Sequence, residues 1–140
     1  MQTVFITGAS GYIGRSLCDV LTRRGHSVIA LLRPGSVHKL PTACRVIVGD
    51  ALNADSYAAH VPSGCIFIHL VGVAHPSPRK AQQFLSIDLA SVRASLRAAT
   101  LATHFVYVSV AQPAPVMGAY IRARQAAERL IAQSGLRIHP

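Results

Sequence analysis

Apolar residues in this chain follow two alternating patterns. Short, almost continuously apolar stretches rich in β-branched residues occur at positions 3–7, 27–32, 45–48, 65–71 and 104–108. That is the length and make-up of strands buried on both faces. Between most of them, apolar residues recur every three or four positions, as on one face of a helix. Residues 12–24 put Ile13, Leu17, Val20 and Leu21 on one face and stop at Gly25. Residues 81–102 align Leu85, Leu89, Val92, Leu96 and Ala99, and residues 118–133 align Ala123, Ala127, Leu130 and Ile131 before Gly135. A weaker helix is expected over 53–60.

Alternating strand and helix predict right-handed βαβ units, so the fold class is α/β, a Rossmann-type doubly wound parallel sheet. Five strands are expected, and residues 136–140 read as the opening of a sixth. With the chain stopping there, the 104–108 strand would lie near an open edge, which predicts self-association or low solubility. The 140 residues fit one domain, 1–140, with no separate substrate domain. Loops rich in proline, glycine and serine at 33–42, 72–79 and 112–118 all follow strands, which places them on the ligand side of such a sheet.

Composition narrows the partners. Hydrophobic residues make up 51% and charged residues 14% of the chain, below the roughly 25% charged residues of average proteins and in keeping with elements covered on two faces. The net charge of +9 suits an anionic ligand, but Arg15, Arg23, Arg24, Arg33, Arg45, Arg79, Lys80 and Arg122 are scattered. With no basic run and no interleaved aromatic stripe, nucleic acid is not an expected partner. Cys18, Cys44 and Cys65 have no zinc-like spacing and read as free buried thiols, so no metal is expected. A strand begins almost at Met1, leaving no leader, and the apolar-leaning run 65–74 is too short to cross a bilayer. A cytoplasmic protein without a membrane partner is the expectation.

Directly after the first strand stands Thr7-Gly8-Ala9-Ser10-Gly11-Tyr12-Ile13-Gly14. In a strand–turn–helix context, such glycines let the backbone approach a pyrophosphate, and Gly14 lets helix and strand pack closely. The N–H groups near Ser10 to Ile13 would bind the phosphate charge. The second strand ends in Leu32-Arg33-Pro34-Gly35, where enzymes using NAD carry an acid. An arginine there suits a ribose 2′-phosphate, which favours NADP(H) over NAD(H). His38 and Lys39 would add to the same pocket or only decorate its loop. Asp50, followed by Ala51, is read either as an acceptor for the adenine amino group or as an ordinary helix cap.

Together with Arg24-Gly25-His26-Ser27-Val28, Val48-Gly49-Asp50, His69-Leu70-Val71-Gly72, Val106-Tyr107-Val108-Ser109 and the stretch from Tyr120 to Glu128, these residues resemble the short-chain dehydrogenase/reductase superfamily. The likeness is to its extended and atypical branches, NmrA-like and epimerase-like. The resemblance implies a cofactor site built from Gly8, Ser10, Gly11, Tyr12, Ile13, Gly14, Arg33, Asp50, Ala51, Leu70, Val71 and Gly72. It also implies catalysis by a Tyr-x-x-x-Lys pair, here Tyr120 and Arg124, with Ser109 nearby. Glu128, one turn beyond, would pair with Arg124.

Three positions depart from the family: Arg124 for lysine, Ala111 for the usual serine or threonine, and Asp88 for an asparagine in the long helix. The family's substrate-binding part follows the point where this chain ends, so relative to the family it is C-terminally truncated. The implied function is an NADP(H)-binding oxidoreductase or epimerase-like protein acting on a small molecule. The alternative is a redox-sensing regulatory or assembly module that binds NADP(H) without catalysis and works through a protein partner. A homo-oligomer fits either.

Overall fold

The computed structural model describes residues 1–36, 40–71, 79, 84–108, 118–136 and 138–139. Six parallel strands form one sheet: β1 (Thr3–Thr7), β2 (Ser27–Leu32), β3 (Arg45–Val48), β4 (Ile66–His69), β5 (His104–Tyr107) and β6 (Ile138–His139), in the order β3-β2-β1-β4-β5-β6. The chain steps outward from β1 to β3, then returns to the other side of β1. That reversal leaves a crevice beyond the carboxyl ends of β1 and β4.

Period-two alternation sorts the strand side chains onto two faces. Val4 and Ile6 join Val28, Ala30, Leu32 and Ile68 under α1 (Tyr12–Arg23). Phe5 and Phe67 point the other way, toward α2 (Ala90–Ala98) and α3 (Gly118–Gln133). There a row of stacked rings crosses three strands, Phe5 to Phe67 and Phe67 to Phe105, each at 5.3 Å between centroids. Tyr57 extends the row beyond Phe5 at 5.9 Å. All three cysteines are buried and free. Burial pushes the Cys18 thiol up to about 12, with Cys44 adding to the shift, so neither is a reactive thiolate.

Several elements differ from their expected form. The weak helix over 53–60 is two short 3₁₀ turns, Ala54–Ser56 and Ala58–His60. Asn53 caps the first by accepting from the Asp55 N–H at 3.2 Å. β4 and β5 are shorter than their apolar runs because pairing ends at His69 and Tyr107. In α1 the most buried row is Gly14 and Cys18, while Ile13 and Val20 are exposed. Small residues bring the helix closest to the sheet and so define its contact line.

The long helix opens as a π-helical turn, Phe84–Leu89, before α2. A π turn holds an extra residue and shifts the register of the inward face. Ser91, Val92, Ala94, Ser95 and Ala98 are the buried set of α2, Ala99 just beyond it is buried as expected, and Leu89 and Leu96 flank the core.

β6 pairs with β5, Phe105 opposite Ile138 and Val106 opposite His139. The sixth strand is thus present, and β5 is not an edge. Its outward backbone is covered at Phe105 and Val106, and the edge of the sheet on this side is β6. The stacked row predicts a measurable cost: Phe67→Ala should lower unfolding stability by about 3–5 kcal/mol in urea titrations. A loss under about 1 kcal/mol would show that the neighbouring rings close over the gap.

Candidate functional site

The loop from β1 into α1 is shaped by two close approaches. Gly8 has φ +71°, and a Cβ there would lie 2.5 Å from the Leu70 carbonyl carbon and 2.7 Å from the Val71 nitrogen. At Gly14 a Cβ would come within 2.4 Å of the Gly8 oxygen. No side chain fits at either position. Gly11 differs, since its nearest neighbour would be the Gly8 oxygen at 3.4 Å, an ordinary contact. As the N-cap of α1, Gly11 offers no capping side chain, and the first turn carries no acid. The first-turn N–H groups are left for an external anion.

Above this loop opens a cleft of about 450 Å³, within the usual range for small-molecule sites. The structure brings together Gly8, Ser10 and Gly11 from the loop, Arg33 after β2, Asp50 and Ala51 after β3, and Leu70 and Val71 after β4. Tyr12, Ile13 and Gly14 do not line it. Tyr12 is 85% exposed and Ile13 55% exposed, both turned to solvent. Gly72, Ser109, Ala111, His38 and Lys39 lie outside the described residues, as does the side chain of Tyr120, whose backbone belongs to α3.

Sequence reasoning missed Leu31, Leu32, Gly49, Leu52 and Ile87 as lining residues. The first four adjoin the positions it did name at the ends of β2 and β3. Ile87 comes from the π-helical turn, for which the helical periodicity carried no signal.

Arg33 is exposed at the cleft and begins a tight turn in which the Ser36 N–H donates to the Arg33 carbonyl at 3.2 Å. Pro34 presets the second position of that turn, and Gly35, at φ +88°, supplies the left-handed third. Arg33 takes no part in the Arg23–Asp19 and Arg97–Asp55 ion pairs. Asp50 uses Oδ1 to accept the Leu52 N–H at 2.9 Å, and its own N–H donates to Ser56 Oγ at 3.0 Å. Asp50 thus closes a local turn, while the helix cap itself is Asn53, and Asp50 also lines the cleft.

On the other side of β4, Arg124 lies over the Tyr107 ring, 5.1 Å from its centroid. Burial pushes the Tyr107 hydroxyl up, and Arg124 opposes the push. Asp88 is buried in the π-helical turn rather than set on an exposed helix face.

Sequence reasoning did not single out the fully buried His69 as a site residue. Its Nδ1 lies 2.9 Å from Ser95 Oγ and 3.4 Å from Thr7 Oγ1, and its Nε2 lies 3.5 Å from Ser91 Oγ. Burial drives its pKa down to about 3, the Arg124 charge adds to the fall, and a hydrogen bond with the Val71 backbone opposes it. Among the described residues no group of three or more histidine, cysteine or acidic side chains could hold a metal ion. No described helix is long and apolar enough to cross a membrane.

Residues 8–138 match the model of a family described as NAD(P)H-binding. The dTDP-6-deoxy-L-talose 4-dehydrogenase (NAD(+)) of Aggregatibacter actinomycetemcomitans is 36% identical over 83 residues, 55% of this chain and 31% of that protein. The crystal structure of a UDP-galactose 4-epimerase superposes with a TM-score of 0.83 at 17% identity, over 98% of this chain and 54% of that one. The Bordetella bronchiseptica enzyme WbmH, solved in complex with NAD+, gives 0.75 at 19% identity, over 99% of this chain and 54% of the other. At these identities the solved structures speak for the fold. The chain spans about half their length, and less than a third of the curated relatives it matches.

The buried histidine predicts a direction for the pH dependence of stability. His69 is held neutral in the fold, whereas in the unfolded chain it takes up a proton as pH falls below its ordinary value of 6.5. Its contribution is fully present above that value and is lost as pH falls toward about 3. The wild-type melting midpoint should fall more steeply through this window than that of His69→Gln, measured side by side. Parallel curves would show that His69 titrates normally in the fold.

Proposed function

This chain belongs to the NAD(P)H-binding family and has the Rossmann fold of epimerase-like short-chain dehydrogenase/reductases, and from that premise we propose that it binds NADP(H) in preference to NAD(H). The observation that carries the preference is Arg33, exposed at the cleft on a proline–glycine turn at the tip of β2. A guanidinium there can grip a 2′-phosphate in two-pronged fashion, whereas an acid would repel it. The glycine cradle at Gly8 and Gly14 fits a pyrophosphate laid on the first turn of α1. Asp50 keeps a second carboxylate oxygen for the adenine amino group while Oδ1 caps its turn.

Bound nicotinamide supplies hydride transfer, and this chain's part is to bind, orient and move a proton. In the catalytic reading, the Tyr120 hydroxyl exchanges that proton with an oxygen of a small-molecule substrate. Arg124, one turn away in α3, supplies positive charge, and Ser109 hydrogen bonds the substrate oxygen. One observation favours the second reading, a redox-sensing module without catalysis. Arg124 is engaged with the face of Tyr107, and a planar guanidinium so placed is a poor substitute for a mobile ammonium. The cytoplasm, where the NADP(H) pool would be met, is the compartment we assign.

Calorimetry tests the cofactor reading. Arg33→Ala should weaken NADPH by about 1.5–3 kcal/mol, the worth of hydrogen bonds to a charged group, and leave NADH unchanged. Gly11→Val should abolish binding of both nucleotides without lowering the melting midpoint, because the extended Gly11 backbone and the 3.4 Å clearance accept a side chain until the pyrophosphate needs the space. Equal affinity for NADH and NADPH in the wild type would refute the assignment of Arg33. For catalysis, Tyr120→Phe should remove reductase turnover while leaving NADPH affinity intact. Undiminished turnover in that variant would remove Tyr120 from the reaction.

A further inference from the structure

The hydrogen-bond donors around His69 can be assigned from the distances alone. Ser91 Oγ has one proton, and it donates to the Asp88 carbonyl at 2.9 Å. Toward His69 Nε2 the same oxygen can therefore only accept, so Nε2 carries the ring proton. Nδ1 of the neutral ring is then an acceptor, and Ser95 Oγ at 2.9 Å is the donor that meets it. The chain of bonds runs from Ser95 through the ring to Ser91 and on to the Asp88 carbonyl, inside the π-helical turn. On its other side the ring is fixed to the end of β4, from which the chain runs two residues on to Val71. Val71 lines the cleft, and so does Ile87, the neighbour of Asp88. One buried imidazole thus ties together two lining segments that come from separate parts of the chain.

We propose that His69 is a positioning residue, a latch of fixed tautomer that holds Val71 and the Ile87 turn at the separation the dinucleotide requires. The proposal rests on the cofactor reading of the cleft, though the latch itself can be tested without cofactor. Neither histidine nor serine touches the ligand site directly, and neither belongs to the set assigned to binding or proton transfer. A π-helical turn is an irregular winding that rarely persists without an added restraint. The Ser91–Asp88 bond and the ring behind it supply one. Replacing His69 by glutamine keeps an N–H where Nε2 was, whereas asparagine reaches only the Nδ1 position.

In the cofactor-free protein, nitrogen NMR of the histidine side chains should show His69 neutral with its proton on Nε2. Ser91→Ala should raise amide exchange across Phe84–Leu89 and weaken NADPH about tenfold, the equivalent of ~1.4 kcal/mol. His69→Asn should behave likewise, while His69→Gln should stay within about twofold of wild type, a few tenths of a kcal/mol. Should Ser91→Ala fail to fold, the asparagine and glutamine variants carry the same comparison. A proton on Nδ1 overturns the latch. So does unchanged exchange and affinity in Ser91→Ala or His69→Asn, even with a lowered melting midpoint, since that describes a packing role alone. If wild type binds neither nucleotide while exchange in the turn still rises, the latch is supported and the cofactor reading falls instead.

Discussion

The cleft depends on how closely the backbone at Gly8 approaches the backbone at Leu70 and Val71. With a would-be Cβ only 2.5 Å from the Leu70 carbonyl carbon, the loop after β1 lies directly against the end of β4. Gly14 then lets α1 close on the loop from above. If either contact were relaxed, the helix N-terminus would no longer be aimed across the sheet's switch point. The dipole and the free N–H groups of α1 are useful to an anion only in that orientation.

The same two strands carry the molecule's main core and its main polar cluster on one face. Phe5 and Phe67 stack in the middle of the sheet, and one step further along each strand Thr7 and His69 follow on the same side. Apolar rings fill the middle, and buried hydroxyls meet the imidazole just below the ligand end. A neutral His69 suits this place because each of its nitrogens has a partner, and a charged ring would face the Arg124 guanidinium in a dry setting.

The charges divide by location. At the cleft end of β2, Arg33 stands exposed on its turn, available to an anion arriving from solvent. At the end of β5, Arg124 is half-buried on Tyr107, and Asp88 is buried nearby in the π-helical turn. Of the positions that depart from the family pattern, Asp88 is therefore part of the fold's interior and Arg124 packs on an aromatic face.

Much of this was legible in order along the chain. Alternation of apolar runs and helical stripes marked the five main strands and three helices, and Gly8, Gly11, Arg33 and Asp50 were identifiable because a strand end followed by a turn is a local event. Residues 136–140 likewise announced β6 through their own composition. The helical stripes marked the inward faces at Val92, Ala99, Ala123, Ala127 and Ile131, but only tertiary structure added Ser91 and Ser95 to that face and brought Ile87 to the cleft, because a π turn leaves no mark in uniform periodicity. Tertiary structure alone decided the fate of His69, which has hydroxyl partners 62 residues away at Thr7 and 26 away at Ser95. A sequence pattern reports the environment a residue's neighbours share. A buried polar contact depends on where other segments arrive, and only the folded sheet brings them there.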